Sequence, residues 1–253
     1  MGLHLAMFHG TGSITVDVDM VPVIDQVIPV ASTQFQLPRS FALVGAGART
    51  DDVPNTFPSV MVPGFVELPT VGVTPVSDVT DDVKTMDLSL SPIDLAVGEP
   101  IGATLAVSTG TPEVSLGLFL SDRLEPAPSG PASWVRYGVT SGALAADSTR
   151  WQAATLTPIF RLAAGKYRIL GIRFYHNNVV AGRLILADSV LRPGALAVSG
   201  QSLDALPATL PAIDTTGILG TFDAVALPLV ELYVPTAASG TVGFMDLMLQ
   251  RVR

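Results

Sequence analysis

The sequence predicts an all-β protein, because short runs of Val, Leu, Ile and Thr recur between frequent prolines and glycines. The 253 residues include 20 Pro and 23 Gly, and 48% of the chain is hydrophobic. Short apolar segments bounded by turn-forming residues are typical of strands. We expect an antiparallel, jelly-roll-like β-sandwich with Pro-rich extended arms. One large sandwich or two small ones are both compatible with this length, since all-β domains reach it without dividing.

The first third of the chain combines strand patterns with a proline-rich segment. Ile14, Val16 and Val18 alternate with polar residues, which predicts a half-buried strand, and residues 34–44 predict another. Residues 49–75 contain five prolines among large apolar side chains that include Met61 and Phe65. Proline cannot donate to a β-ladder, so we expect this segment to be an arm lying across a neighbouring subunit.

An acidic stretch at residues 78–84 marks the expected domain boundary. The predicted division is a β region with a Pro-rich arm at residues 1–85 and a main β-sandwich at residues 86–253. Beyond the boundary, strands at 103–107 and 114–120 are separated by glycine–proline turns. The even-numbered residues of the second strand, all Val or Leu, are expected to share one buried face.

The pattern at residues 166–176 predicts a long strand with a buried and an outward face. Leu170, Ile172 and Phe174 are expected to face the core. Asn177 and Asn178 predict a tight turn, and hence a β-hairpin with residues 179–186. Short helices are expected at residues 141–147 and 224–227.

The outward face of that strand supplies three candidate interface residues, Tyr167, Arg173 and Tyr175. Tyr and Arg are enriched where proteins meet, and Met61 and Phe65 of the expected arm complete the candidate set. The alternative left open is that this second face packs beneath a loop of the same chain.

The sequence contains no convincing catalytic or cofactor motif. The run GAGART at residues 45–50 lacks the third glycine and the βαβ setting of a dinucleotide loop, so we interpret it as an ordinary loop. His9, Gly10, Thr11 and Gly12 are similar to an oxyanion loop, but no G-x-S-x-G motif follows. We therefore predict no catalytic residue and no cofactor, and we do not expect an enzyme.

The residues suited to metal binding are few. The chain has three histidines and no cysteine, which excludes thiolate ligands and disulfide bonds, and we predict no metal site. Acidic pairs such as Asp51 and Asp52 leave open a Ca²⁺ ion at a subunit interface.

The charge balance limits the expected partners. A net charge of −8 and an isoelectric point near 4.7 argue against direct nucleic-acid binding, which needs clustered Lys and Arg. No apolar stretch reaches the roughly 18 residues of a membrane span. Charged residues form 14% of the chain, against roughly 25% in an average domain. We therefore expect some apolar surface to be buried against other subunits.

Three stretches carry a resemblance to known proteins. LAAGKYRILGIR at 162–173, AGRLIL at 181–186 and RPG at 192–194 resemble the strands and turns of β-sandwich coat proteins of phages and archaeal viruses. The resemblance implies a jelly-roll-like sandwich standing in a capsomer, with Pro-rich arms that reach neighbouring subunits.

The expected function is that of a self-assembling structural protein, a capsid or shell component located in the virion. Its expected partners are copies of itself and other shell proteins. The alternative is a β-sandwich module that recognises a carbohydrate or a receptor, such as a phage tail-tip protein. Aromatic residues grouped on one exposed face would favour this alternative.

Overall fold

The computed structural model describes residues 2–13, 17–62, 70–77, 86–122, 128–176, 179–198, 217–236 and 242–252. Across these ranges the chain is built from strands, and the all-β prediction is confirmed. The one helix among them is the 3₁₀ turn Val53–Asn55. The described residues of the segments 141–147 and 224–227 form no helix, so both helix predictions are wrong. No described helix has the length and apolar character needed to cross a membrane.

The strands described before residue 123 form two sheets. In chain order they are β1 (Leu3–Thr11), β2 (Val18–Asp19), β3 (Val21–Pro22), β4 (Val30–Ala31), β5 (Gln34–Gln36), β6 (Phe41–Thr50), β7 (Thr56–Met61), β8 (Thr70–Gly72), β9 (Pro75–Ser77), β10 (Met86–Asp87), β11 (Ile93–Leu95), β12 (Pro100–Val107) and β13 (Glu113–Ser121).

The strands described after residue 127 form a single closed sheet with one added strand. They are β14 (Ser133–Thr140), β15 (Asp147–Pro158), β16 (Lys166–Tyr175), β17 (Ala181–Ile185), β18 (Gly194–Val198), β19 (Gly220–Asp223), β20 (Leu229–Val234) and β21 (Val242–Arg251).

The two sheets of the first half pack on a shared core. Sheet A has the order β10-β6-β13-β1-β3, with β9 and β11 also on β6, and sheet B has the order β4-β5-β12-β7-β8, with β2 also on β12. Phe8 and Leu116 of sheet A meet Phe35 and Leu105 of sheet B in one hydrophobic cluster. The rings of Phe8 and Phe35 lie edge to face, with centroids 4.8 Å apart, as aromatic pairs prefer.

The second half is a closed barrel rather than the expected sandwich. Its strands run in the order β18-β17-β20-β15-β14-β21-β16, and β19 pairs with β16 in addition. Two parallel residue pairs between β16 and β18, Phe174 with Ala197 and Tyr175 with Val198, close the ring. Closure gives each of these strands a partner on both sides.

Sheet A is buried on both faces, which makes the molecule a stack of sheet B, sheet A and the barrel. The predicted face of β13 is confirmed, since its even-numbered residues from Val114 to Leu120 lie in the sandwich core. Phe119 points the other way, into the core shared with the barrel. A Cβ at Gly117 would lie 3.0 Å from the side chain of Leu196, so glycine at this position allows β18 to approach the sheet closely.

Two glycine-rich runs, the one expected to be a loop and the one similar to an oxyanion loop, lie in central strands of sheet A. His9, Gly10 and Thr11 belong to β1, and residues 45–50 belong to β6. Every residue of β6 is buried. Both faces of the sheet are covered, so small residues allow the layers to pack closely. For the same reason these strands do not alternate between apolar and polar residues.

The expected boundary at residues 85/86 does not coincide with a boundary between sheets. Strands β1 and β6 both pair with β13, across that position. Strand β7 lies between β12 and β8, so residues 56–61 of the expected arm are an internal strand of sheet B. The part of that arm at 63–69, with Phe65, and the acidic stretch at 78–84 lie outside the described residues.

The predicted hairpin between residues 166–176 and 179–186 is wrong. Strand β17 is flanked by β18 and β20, and β16 is flanked by β21 on one side and by β18 and β19 on the other. Both sides of β17 are therefore occupied, and the chain leaves β16 to pair elsewhere in the barrel.

We predict that Phe174→Ala destabilises the protein by about 3–5 kcal/mol, because the ring is fully buried and its loss leaves a cavity. The ring also packs on Gly182, where a Cβ would lie 2.9 Å away. Urea unfolding measures the change. Phe57→Ala is the matched control, since Phe57 is 54% exposed and its loss should cost less than about 1 kcal/mol. Equal effects of the two substitutions would contradict the placement of Phe174 in the barrel core.

Candidate functional site

Tyr167 lies inside the barrel, so the expectation that it faces outward is wrong. It is 7% exposed, stacks on Phe222 with centroids 6.1 Å apart, and donates a hydrogen bond to the carbonyl of Ala163 at 2.9 Å. The cause is a β-bulge in β16 between Ile169 and Gly171, which shifts the alternation of faces by one residue. Tyr167 and Ile169 point inward before the bulge.

After the bulge Ile172 and Phe174 belong to the barrel core as predicted, and Arg173 lies half-buried on the other side of the strand. Tyr175 shares the side of Arg173 but is 5% exposed and belongs to the same buried cluster, so the expectation that it faces solvent is wrong. Leu170, expected in the core, lies at the bulge and is buried outside that cluster.

Arg173 and Tyr175 belong to a continuous patch on the outside of β14, β21 and β16, which we call the outer barrel face. The strand register arranges it in rows across the three strands. One row joins Arg136, Asp246 and Arg173. The rows on either side supply the remaining large side chains of the patch, namely Trp134, Met248, Phe244 and Tyr175.

The central row is held by charge. Arg136 donates two hydrogen bonds to the Asp246 carboxylate, at 2.8 and 2.9 Å, and this fork geometry is the strong form of the pair. The hydrogen bond to Asp246 raises the pKa of Arg136 above its ordinary value. With arginines on both sides of one aspartate, the row carries a net positive charge.

The aromatic rings of the patch pack against these arginines. The Arg173 guanidinium lies 3.9 Å from the Trp134 ring centroid, and Arg136 lies 5.4 Å from that of Tyr175 and 5.5 Å from that of Phe244. Burial, followed by the charge of Asp246, raises the pKa of Tyr175. Contacts within the chain thus hold these side chains in place, and side chains that are already ordered lose less entropy on binding.

Met61 lies on a different surface. It shares the outer face of β7 with Phe57 and Ser59, since alternate residues of a strand point the same way. Its side chain covers Gly102 of β12, where a Cβ would lie 3.2 Å from the Met61 methyl group. The structure therefore does not bring Met61 together with Arg173 and Tyr175.

A buried polar cluster, not identified from the sequence, joins the sandwich to the barrel. We call it the junction network, and its members are His4, Asp25, Arg183, Arg192 and Glu231. Arg183 donates to Glu231 at 2.8 Å and to the carbonyl of Leu5 at 3.1 Å, and it forms an ion pair with Asp25. Arg192 donates to Glu231 at 2.6 Å. Two arginines therefore face two carboxylates, and the charges cancel.

The hydrogen bonds of His4 identify its tautomer. Nδ1 accepts from the backbone N–H of Arg192 at 3.2 Å, so the proton is on Nε2, which donates to Asp25 at 3.0 Å. Burial lowers the pKa of His4 below its ordinary value, against the opposing influence of Asp25, and the ring is neutral.

The pKa of Asp25 lies well below its ordinary range. Burial by itself would raise it, but the hydrogen bond with His4 and the charge of Arg183 lower it more strongly. The other carboxylate oxygen of Asp25 accepts from the backbone of Val27 at 2.6 Å and of Ile28 at 3.2 Å. Its lone pairs are therefore fully used.

This arrangement is suited to holding the two halves together rather than to proton transfer. Both ring nitrogens of His4 form hydrogen bonds within the protein, and the side chains of His4 and Arg183 are fully buried. The Arg183 guanidinium is also covered by the Trp151 ring, 4.0 Å away. A substrate would have no access to the imidazole.

Neither the described residues nor the comparisons with known proteins identify a metal site or an activity. Within the described ranges, no group of three or more His, Asp and Glu residues could hold a metal ion. No protein-family model matches the chain, and no curated protein does so either.

We predict that Arg183→Met destabilises the protein by about 3–5 kcal/mol, since it leaves the buried Asp25 carboxylate without its cationic partner and removes one of the two arginines that pair with Glu231. Arg150→Met is the control, because Arg150 pairs with Asp147 on the surface and its loss should cost less than about 1 kcal/mol. Urea unfolding measures both. If Arg183→Met does not fold, Glu231→Gln should give a smaller loss of the same kind. Effects of Arg183→Met no larger than those of the control would contradict a buried network.

We also predict that stability falls as the pH is lowered from 7 to 5. The unfolded chain protonates His4 near its ordinary pKa of 6.5, whereas the native state holds it neutral, so the unfolded state binds more protons in this window. In His4→Gln the free energy of unfolding should depend less steeply on pH. Its slope should be smaller than that of the wild type by up to ~1.4 kcal/mol per pH unit. Urea unfolding at several pH values tests this, and identical slopes in the two proteins would refute it.

Proposed function

We propose that the chain is a self-assembling structural protein, a component of a virion shell, and that the outer barrel face is one of its contact surfaces. The observation that carries the proposal is the composition and order of that face. Trp, Tyr, Phe, Met and Arg are the residue types enriched in interface cores, and three rows of residues bring these types together on β14, β21 and β16.

The energetics of the face also favour a protein partner. Buried aromatic and arginine side chains carry most of the binding energy at interfaces, and here the arginines are already stacked on the rings. The remaining surface supplies further apolar contacts, since Leu90, Val97 and Val225 are each largely exposed. Repeated copies would bury such surface in symmetric contacts.

The junction network supports a role in a shell as well. It fixes the barrel on sheet A through buried, charge-balanced bonds, so each subunit presents its surfaces in a constant geometry. A closed shell requires such constancy, because small changes in subunit shape alter the curvature. The jelly-roll-like resemblance adds to this proposal, and the two-sheet sandwich of the first half is compatible with it.

Recognition of a carbohydrate or a receptor is the second candidate, favoured by the partial exposure of Trp134 beside the polar groups of Arg136 and Asp246. Fewer aromatic rings are available for it than the sequence suggested. Tyr137 and Tyr167 are buried, and Trp151 is covered by Arg183 and Tyr233. A long aromatic platform is therefore not formed by these residues.

We predict that the purified protein forms a discrete oligomer and that Trp134→Ala with Arg173→Ala shifts it towards the 26.3 kDa monomer. Light scattering behind size exclusion measures the mass. Phe160→Ala with Arg161→Ala is the matched control, because this pair is exposed elsewhere on the barrel and should leave the mass unchanged.

A wild-type monomer at high concentration would contradict the assembly proposal and favour recognition of a ligand. Repeating the measurement with a chelator tests for an ion at the interface, since dissociation on chelation would identify one.

A further inference from the structure

An open cleft of about 760 Å³ lies at one end of the barrel, beside the outer barrel face. Arg168 of β16, Gln250 and Arg251 of β21 and the loop at residues 129–131 form its walls. Arg168 is directly opposite Gln250 in the strand register. This pair forms the next row after those of the outer barrel face, so the cleft adjoins that face.

Neutral groups hold both arginines of the cleft in place. Arg168 donates to the side-chain oxygen of Gln250 at 3.2 Å, and Arg251 donates to the carbonyl of Ala164 at 2.7 Å. Gln250 is itself 5% exposed and donates to the carbonyl of Ser129 at 3.0 Å. A buried amide thus orients Arg168 and fixes the loop that faces it.

The loop reaches this position through a glycine. Gly130 adopts a φ of +126°, and a Cβ there would lie 3.0 Å from the Gln250 amide nitrogen. A side chain at this position would be strained and would also crowd Gln250. The wall opposite Arg168 is therefore shaped by backbone rather than by side chains.

The cleft concentrates positive charge. Arg136, Arg150, Arg183 and Arg192 each pair with a carboxylate. None of the described residues lining the cleft is acidic. Two guanidinium charges therefore face an open volume with neutral hydrogen-bond partners, in a protein whose net charge is −8.

We propose that this cleft binds an oxyanion, a carboxylate or a phosphate, between Arg168 and Arg251. Guanidinium groups match the planar or tetrahedral oxygens of such ligands with paired N–H donors, and both arginines keep donors beyond those held by Gln250 and Ala164. The anion comes either from a free polyanion or from an acidic side chain of a second copy, and the chemistry of binding is the same.

Calorimetric titration of the full chain with citrate and with inorganic phosphate, at low salt, tests the site. We expect binding that weakens about tenfold in Arg168→Gln and in Arg251→Gln, a loss of ~1.4 kcal/mol each. Arg39→Gln is the control, because it removes the same charge from an exposed position on the sandwich. Circular dichroism confirms that each variant is folded.

The proposal would be overturned if neither anion bound the wild type at about 10 mM. Binding free energies of a few kcal/mol are detected at this concentration. An equal loss in Arg39→Gln would overturn it too, since binding would then reflect overall charge. Light scattering with citrate separates the two sources of the anion. A lower mass with citrate supports an acidic side chain of a second copy, and an unchanged mass together with citrate binding supports a free anion.

Discussion

The positive charge of Arg183 lies between two hydrophobic cores, and the rest of the architecture depends on its neutralisation. A lone buried charge costs many kcal/mol, so Asp25 from the sandwich and Glu231 from the barrel must both be in place. Arg192 balances the second carboxylate, and His4 closes the cluster as a neutral ring. The partners come from both halves, so this requirement fixes how the barrel sits on sheet A.

Burial of sheet A on both faces gives the chain much of its unusual composition. The strand β6 has no exposed residue, and β1 and β13 are nearly as enclosed. Such a sheet needs small or apolar residues at every position, which raises the hydrophobic fraction and lowers the charged fraction. The low charge content therefore has an internal cause, in addition to any contact between subunits.

The elements that the sequence predicted correctly are those whose signals are local. Strand β13 alternates large apolar residues on one face, and turns at Gly98 and Gly110 adopt the positive φ that glycine allows. Residues 41–44 of β6 were predicted as strand, but residues 45–50 were interpreted as a loop because of their glycine and alanine residues, and β1 was not predicted. The bulge that turns Tyr167 inward has one local signal in β16, Gly171, since a glycine within a strand often marks a bulge. The junction network joins residues as far apart as His4 and Arg192, and its one sequence signal is an arginine within the apolar run of β17.

The position of β1 has a kinetic consequence. Its main partner is β13, and the carbonyl of Leu5 receives its bond from Arg183, 178 residues later. During synthesis on the ribosome, the barrel that covers this apolar strand is completed only after most of the chain has been made. Long-range pairing of this kind slows folding and exposes intermediates to aggregation. The nascent chain is thus prone to aggregation until the barrel has formed, and the burial that stabilises the finished protein also delays its completion.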